Sequence, residues 1–176
     1  MPYEKDRAWS DMFIPEIKQI LGEFLIKEAP IVEDMMHNTD LIVFELGTVR
    51  IACRIRKYSF CQNYGDQFTL RYSRPNDKET EFQKMLNGYG DYFFYGFSNS
   101  KEDKLYKWII GDLNKLRTYI NDYANNNDNK LPGIIKSNKD KSSEFIIFHY
   151  DSIPDFVVYS SDIKRGYKEI DVWDLY

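Results

Sequence analysis

One uninterrupted apolar run, Tyr92-Phe93-Phe94-Tyr95-Gly96-Phe97, constrains the fold of this chain more than any other feature. The run contains no charged residue, so both faces of a strand built from it are apolar. A strand of this kind belongs at the centre of a sheet, where other elements cover it on each side. The run therefore predicts a layered protein built around a central sheet.

The segments around this strand supply helices and further strands. Residues 6–23 have apolar side chains at helical spacing, and Pro15 marks a point where the helix either kinks or restarts. A short helix over 79–86 has Thr80 as its cap, and a second amphipathic helix covers 112–123. Further strands are predicted at 24–26, within 35–44, within 49–58, and at 68–72, 105–110, 144–149 and 156–159. This order predicts an α/β (α+β) protein with a mixed central β-sheet flanked by helices.

The chain has 176 residues and a mass of 21.0 kDa, which predicts a single domain over 1–176. Residues 125–141 are rich in Asn, Lys and Asp and predict a mobile loop. The last two strands are expected to form a closing pair. Residues 162–176 are charged and aromatic without a clear period, and they are interpreted as a C-terminal tail.

Charge and apolar content limit the classes of partner. The net charge of −4 gives no global attraction to nucleic acid or to an anionic membrane, so any such contact needs a local basic patch. No apolar run approaches the roughly 20 residues that span a bilayer, so no membrane partner is expected. Two cysteines are too few for a disulfide framework. The expected location is therefore the cytoplasm, which is the host cytoplasm if a phage encodes the chain.

Residues 35–58 place cations on one face of a predicted hairpin. Because side chains alternate along a strand, Arg54 and Arg56 point to the same side, and Arg50 joins them. The opposite face is predicted to be core and carries Ile51, Cys53 and Ile55. Arginine presents a planar fork that suits phosphate oxygens. The face therefore predicts a phosphate site.

Further cations are expected on the same surface. Arg71 and Arg74 follow on the next predicted strand and its turn, and Lys84 lies on the helix over 79–86. Lys84 comes one turn after Glu81, and two interpretations remain open: a Glu–Lys pair at the site, or a surface ion pair of little energetic value. Together these residues predict contact with a nucleic acid or a nucleotide. The predicted phosphate-binding residues are Arg54, Arg56, Arg71, Arg74 and Lys84.

The order of elements, with Asp40 opening the second strand, resembles the restriction-endonuclease-like superfamily of P-D-(D/E)-x-K nucleases. The resemblance implies a metal-dependent hydrolase in which Asp40 binds Mg²⁺, whereas Arg54-Ile55-Arg56 occupies the position of the acid-x-Lys motif. An arginine donates no lone pair to a metal, so a second acid is needed, with Glu81 first and Asp34 next. On this hypothesis Arg54 and Arg56 stabilise the charge that develops on the phosphate.

The chain is also similar to a family of phage and prophage proteins. The shared stretches include Asp6-Arg7-Ala8-Trp9-Ser10-Asp11, Ile51-Ala52-Cys53-Arg54 and Gly90-Asp91-Tyr92. This resemblance brings no established activity with it. A phage setting makes an alternative function without catalysis plausible, in which the same arginines bind a ligand and the chain inhibits a bacterial defence system by binding a host nuclease or a signalling nucleotide. A homodimer is common for the nuclease-like fold and is the expected assembly if one forms.

Overall fold

The computed structural model describes residues 2–28, 41–43, 49–75, 79–140 and 142–162, and these residues form a mixed α+β protein. The helices are α1 (Pro2–Asp11), α2 (Ile14–Leu25), α3 (Tyr58–Tyr64), α4 (Glu81–Leu86) and α5 (Leu113–Asn126). The strands are β1 (Ile26–Glu28), β2 (Leu41–Val43), β3 (Ile51–Arg56), β4 (Gln67–Ser73), β5 (Tyr92–Ser98), β6 (Leu105–Asp112), β7 (Ile134–Ser137), β8 (Glu144–His149) and β9 (Val157–Ser160). The prediction of a protein with both helices and strands is confirmed.

The strands of the described residues are arranged in three sheets. The largest has the order β3-β5-β6-β9, in which β3 runs parallel to β5 and the other neighbours are antiparallel. An antiparallel sheet has the order β4-β8-β7, and β1 pairs with β2 alone. The largest sheet is therefore mixed, as the sequence predicts.

Strand β5 lies at the centre because both of its faces are buried. One face carries Phe93, Tyr95 and Phe97, which pack into a core that includes β4, β8, α4 and α5. The opposite face carries Phe94, which packs with Phe13 and Ile17 of the N-terminal helical region. These two cores cover the sheet from either side, which confirms the central position predicted for this strand.

Two helices begin where their capping residues lie. The Thr80 hydroxyl accepts a hydrogen bond from the Gln83 N–H, and the Gln83 side chain accepts one from the Thr80 N–H, which is a capping box. The Asp112 carboxylate accepts from the N–H groups of Asn114 and Lys115 and caps α5. Local sequence therefore sets the start of both helices.

The predicted helix over 6–23 is two helices that meet at Met12 and Phe13. Pro15 lies in the first turn of α2, where its missing N–H has no intrahelical partner to lose. Helix α2 continues to Leu25, so strand β1 begins at Ile26 rather than at Phe24.

Two predicted pairings differ from the structure. Strand β3 pairs with β5 and the described residues of β2 pair with β1, so these two strands do not form the predicted hairpin there. Strands β8 and β9 also lie in different sheets instead of pairing with each other. The partner of each strand depends on how the apolar faces of β5 are buried. Burial of β5 involves segments that are distant in the sequence, so the local turns do not reveal the pairing.

The region predicted as a mobile loop, 125–141, includes regular structure. Helix α5 extends to Asn126, and strand β7 pairs with β8 although all four of its residues are exposed. An exposed edge strand lacks the apolar alternation that identifies a strand from sequence.

Cys53, predicted to be buried, is exposed. No helix of the described residues is long and apolar enough to cross a bilayer, and 163–176 lie outside them.

Candidate functional site

A cleft of about 310 Å³ opens between β3, β4, α4 and the start of α5. Its floor is formed by the buried side chains of Leu70, Met85, Phe93 and Leu113. An apolar floor of this kind accommodates the flat or apolar part of a small ligand, whereas polar groups at the rim fix its orientation. The composition of the rim therefore decides which ligands fit.

The rim is mainly cationic. Arg50, directly before β3, and Arg54 of β3 line the cleft, with the small side chain of Ala52 between them. Lys84 reaches the cleft from α4, one turn after Glu81. Arg50 and Lys84 are exposed, and neither forms an ion pair with a carboxylate of the described residues. Both charges therefore face solvent at the mouth of the cleft.

Arg54 and Glu81 form an ion pair at one end of the rim. The distance from Arg54 Nη1 to Glu81 Oε2 is 2.7 Å, and the same Nη1 donates to the carbonyl oxygen of Thr69 at 2.9 Å. Glu81 Oε2 also accepts from the N–H of Arg71 at 3.0 Å. The Arg54 side chain is only 18% exposed and that of Glu81 is 46% exposed. The pair therefore joins β3, β4 and α4.

This ion pair closes the open edge of β4. On one side β4 pairs with β8. The Thr69 carbonyl and the Arg71 N–H lie on the other side, where Arg54 and Glu81 occupy the positions that a neighbouring strand would take. Glu81 thus has a structural role, and one of its oxygens is already shared between two donors. Use of that oxygen as a metal ligand requires loss of these contacts.

Arg56 and Arg71 extend the positive surface beyond the ion pair. The Arg56 guanidinium lies over the Phe60 ring, 4.4 Å from its centroid. Burial lowers the pKa of Arg56, the charges of Arg54 and Arg71 lower it further, and Tyr95 and Glu81 oppose the shift. Because the ordinary pKa of arginine lies far above neutral pH, the group stays charged. Arg56 and Arg71 therefore add positive charge near the Arg54–Glu81 pair.

A tight turn supports the mouth of the cleft. Gly88 and Gly90 have φ values of 84° and 83°, which a residue with a Cβ rarely adopts, and Tyr89 between them is 59% exposed at the cleft. Asp91 Oδ2 accepts from the Arg50 N–H at 2.7 Å and fixes the start of β3.

Arg117 of α5 holds the same turn in place. Its Nη1 donates to the Met85 carbonyl oxygen at 3.0 Å and to that of Gly90 at 3.3 Å. The carbonyl of Met85 lies at the end of α4, where backbone oxygens have no partner within the helix. Arg117 therefore couples α5 to the two elements that carry Lys84 and Tyr89.

The structure brings most of the predicted phosphate-binding residues together. Arg54 and Lys84 line the cleft, and the charges of Arg54 and Arg71 are close enough to act on Arg56. Arg74 does not line the cleft, and its Nε is buried without a hydrogen-bond partner among the described residues. Asp34 and Asp40, predicted as metal ligands, lie outside the described residues.

The predicted magnesium site has one described member, Glu81. Within the described ranges, no group of three or more His, Cys, Asp or Glu side chains is placed to hold a metal ion. Glu81 instead contacts Arg54 and the Arg71 backbone. Coordination of Mg²⁺ by Glu81 and Asp40 stays a prediction.

Sequence reasoning missed Phe60, which lies against Arg56. Helix α3 has seven residues and buries none of them, so it shows no apolar stripe that identifies a helix. The available signal was the position of an aromatic residue four after Arg56, directly beyond the end of a strand with cations on one face.

The chain matches no protein-family model, no curated protein and no solved structure. The functional interpretation therefore depends on the geometry and charge of this cleft.

Proposed function

We propose that the chain binds the phosphate groups of a nucleic acid or a nucleotide at this cleft. The observation that carries the proposal is the pair of exposed cations, Arg50 and Lys84, at the rim of an apolar-floored cleft. Opposite charge at the mouth attracts an anionic ligand, and the floor accepts a ribose or a base. The neighbouring arginines Arg56 and Arg71 add to the local positive potential.

A restriction-endonuclease-like arrangement of the sheet is part of the same proposal. It is supported by the mixed sheet with helices and strands packed on its faces. Asp40 directly precedes β2 in the sequence, and among the described residues β2 pairs with β1 and not with a strand of the mixed sheet. Glu81 Oε2 already accepts from Arg54 and the Arg71 N–H, so a Mg²⁺ ion on Glu81 would have to use Oε1, beside the Arg54 guanidinium. Phosphate binding uses the cationic rim as it stands, so binding is the function that the geometry supports best.

The test is the affinity of the intact chain for two fluorescent probes, a labelled mononucleotide and a labelled 12-nucleotide single strand, which is longer than the site and can cover all of it. We expect Arg50→Ala and Lys84→Ala each to weaken binding about fivefold or more, because each removes a charge-assisted contact to phosphate. Arg7→Ala is the matched control, since Arg7 is an exposed arginine of α1 that pairs with Asp11.

Unchanged affinity in both variants, with folding intact by circular dichroism, contradicts the proposed site. Binding of neither probe by the wild type contradicts phosphate binding as a function. The alternative, inhibition of a host defence protein, then becomes the hypothesis to test.

A further inference from the structure

Helix α3 presents two exposed aromatic side chains beside the arginines of the site. Phe60 is 40% exposed and Tyr64 is 51% exposed. Residues four apart lie on the same face of a helix, so these two rings form one surface, which we call the aromatic ridge. Helix α3 buries no residue, so packing into a core does not account for these rings.

Arg56 links the aromatic ridge to the cleft. Its guanidinium covers one face of the Phe60 ring at 4.4 Å from the centroid. A cation on one face of a ring fixes its orientation and polarises it, and the rest of the exposed ring is available to stack on a planar ligand. Arginine beside an exposed aromatic ring is a common arrangement in proteins that bind unpaired bases.

The length of this surface exceeds that of the cleft. Arg50 stands at the start of β3 and Arg56 at its end, and six steps of a strand span about 20 Å. Arg54 lies between these two ends on β3, and Arg71 lies on β4, where its N–H contacts Glu81. A mononucleotide in the cleft does not reach Phe60, whereas a chain of several nucleotides contacts both regions.

We infer that the ligand of this site is a single-stranded nucleic acid, whose backbone follows the face of β3 from Arg50 to Arg56 and whose bases stack on Phe60 and Tyr64. This inference rests on the proposed function and adds the class of the ligand and a second contact region. Bases that are paired in a duplex do not expose their faces, so stacking on the ridge selects single strands.

The experiment compares the same two probes, a labelled mononucleotide and a labelled 12-nucleotide oligothymidylate, at one fixed ionic strength. We expect Phe60→Ala to weaken oligonucleotide binding about fivefold or more, the usual effect of losing one stacked base, with mononucleotide binding unchanged. Phe60→Tyr retains a ring and is expected to restore affinity, whereas Phe60→Leu keeps apolar volume and does not. Tyr123→Ala, an exposed aromatic of α5, is the matched control.

The outcomes separate this inference from the proposed function. Equal affinity of wild type and Phe60→Ala for the oligonucleotide, or tighter binding of a duplex of the same sequence, overturns the inference. In that case a loss of mononucleotide binding in Arg50→Ala still supports the phosphate site. If neither probe binds, both proposals fail together.

Discussion

At the scale of single residues, Glu81 separates the hypotheses about this site. One of its oxygens accepts from the Arg54 guanidinium and from the Arg71 N–H. As a metal ligand, Glu81 would be essential for activity. As the partner of Arg54, it holds the edge of β4 and reduces the positive charge that a phosphate meets. The two roles predict opposite effects of removing its charge.

Glu81→Gln is expected to strengthen oligonucleotide binding. The amide keeps a hydrogen-bonding oxygen but removes the negative charge beside Arg54. One charge at short range in solvent is worth roughly 1 kcal/mol or less, which is a change in affinity of up to about fivefold. The free energy of unfolding is expected to fall by about 1 kcal/mol because an ion pair becomes a neutral contact and both partners are partly exposed. Anisotropy and urea unfolding measure the two effects.

Glu102→Gln is the control for this change. Glu102 forms an ion pair with Lys57, with 3.0 Å between Oε1 and Nζ, and neither residue lines the cleft. Its loss is expected to leave binding unchanged. The metal-ligand hypothesis would be supported instead if Glu81→Gln bound more weakly than the wild type with Mg²⁺ present and equally well without it.

At the scale of elements, the sequence predicts those whose signals are local. Helix α4 begins after Thr80 because the Thr80 and Gln83 side chains cap it reciprocally, and both residues are visible in the sequence. Strand β5 is identified by its continuous apolar run. Both faces of such a strand must be buried, whichever elements pack against them. The cation face of β3 also follows from simple alternation, and Arg54 lies on it as predicted.

The remaining elements depend on contacts between distant segments. Strand β3 pairs in parallel with β5, and a sequence pattern does not choose between that partner and β2. Helix α3 and strand β7 have no buried residue, so no periodicity identifies them. The same reason explains Phe60: its importance comes from Arg56 lying over it, which depends on how α3 follows β3.

Two glycines give a prediction at the scale of elements. A Cβ on Gly111 of β6 would overlap the ring of Phe156, which is buried and stacks on Phe68 at 4.8 Å. Gly111→Ala is therefore expected to lower the free energy of unfolding by about 1–3 kcal/mol through overpacking. Gly22 of α2 has no atom within 4 Å of an added Cβ, so Gly22→Ala is expected to raise it by roughly 0.5–1 kcal/mol.

Urea unfolding of the two variants measures this difference. Both substitutions add one methyl group, which meets the Phe156 ring at Gly111 and open space at Gly22, so opposite signs are expected. A loss of stability in Gly22→Ala would contradict the packing of α2, and wild-type stability in Gly111→Ala would contradict the contact between β6 and Phe156.

At the scale of the whole molecule, charge is distributed unevenly. The chain carries a net charge of −4, so its average field repels nucleic acid. Binding of a polyanion must then depend on short-range contacts along β3, β4 and α4, where Arg50, Arg56, Arg71 and Lys84 lie. Short-range contacts with phosphates release counterions, and that release has a measurable dependence on salt.

The number of phosphate contacts can therefore be measured from how the affinity changes with salt concentration. For a single strand, the logarithm of the association constant falls with the logarithm of salt concentration by about 0.7 per phosphate contacted. Contacts from Arg50, Arg56, Arg71 and Lys84 predict a slope of about −3 for the wild type, on the same relation. Arg50→Ala is expected to reduce its magnitude by about 0.7, whereas Phe60→Ala is expected to weaken binding without changing the slope, because stacking releases no counterion. A slope near zero for the wild type would show that these arginines do not contact phosphates. An equal change of slope in Arg50→Ala and Phe60→Ala would show that Phe60 acts by positioning Arg56 instead of stacking on a base.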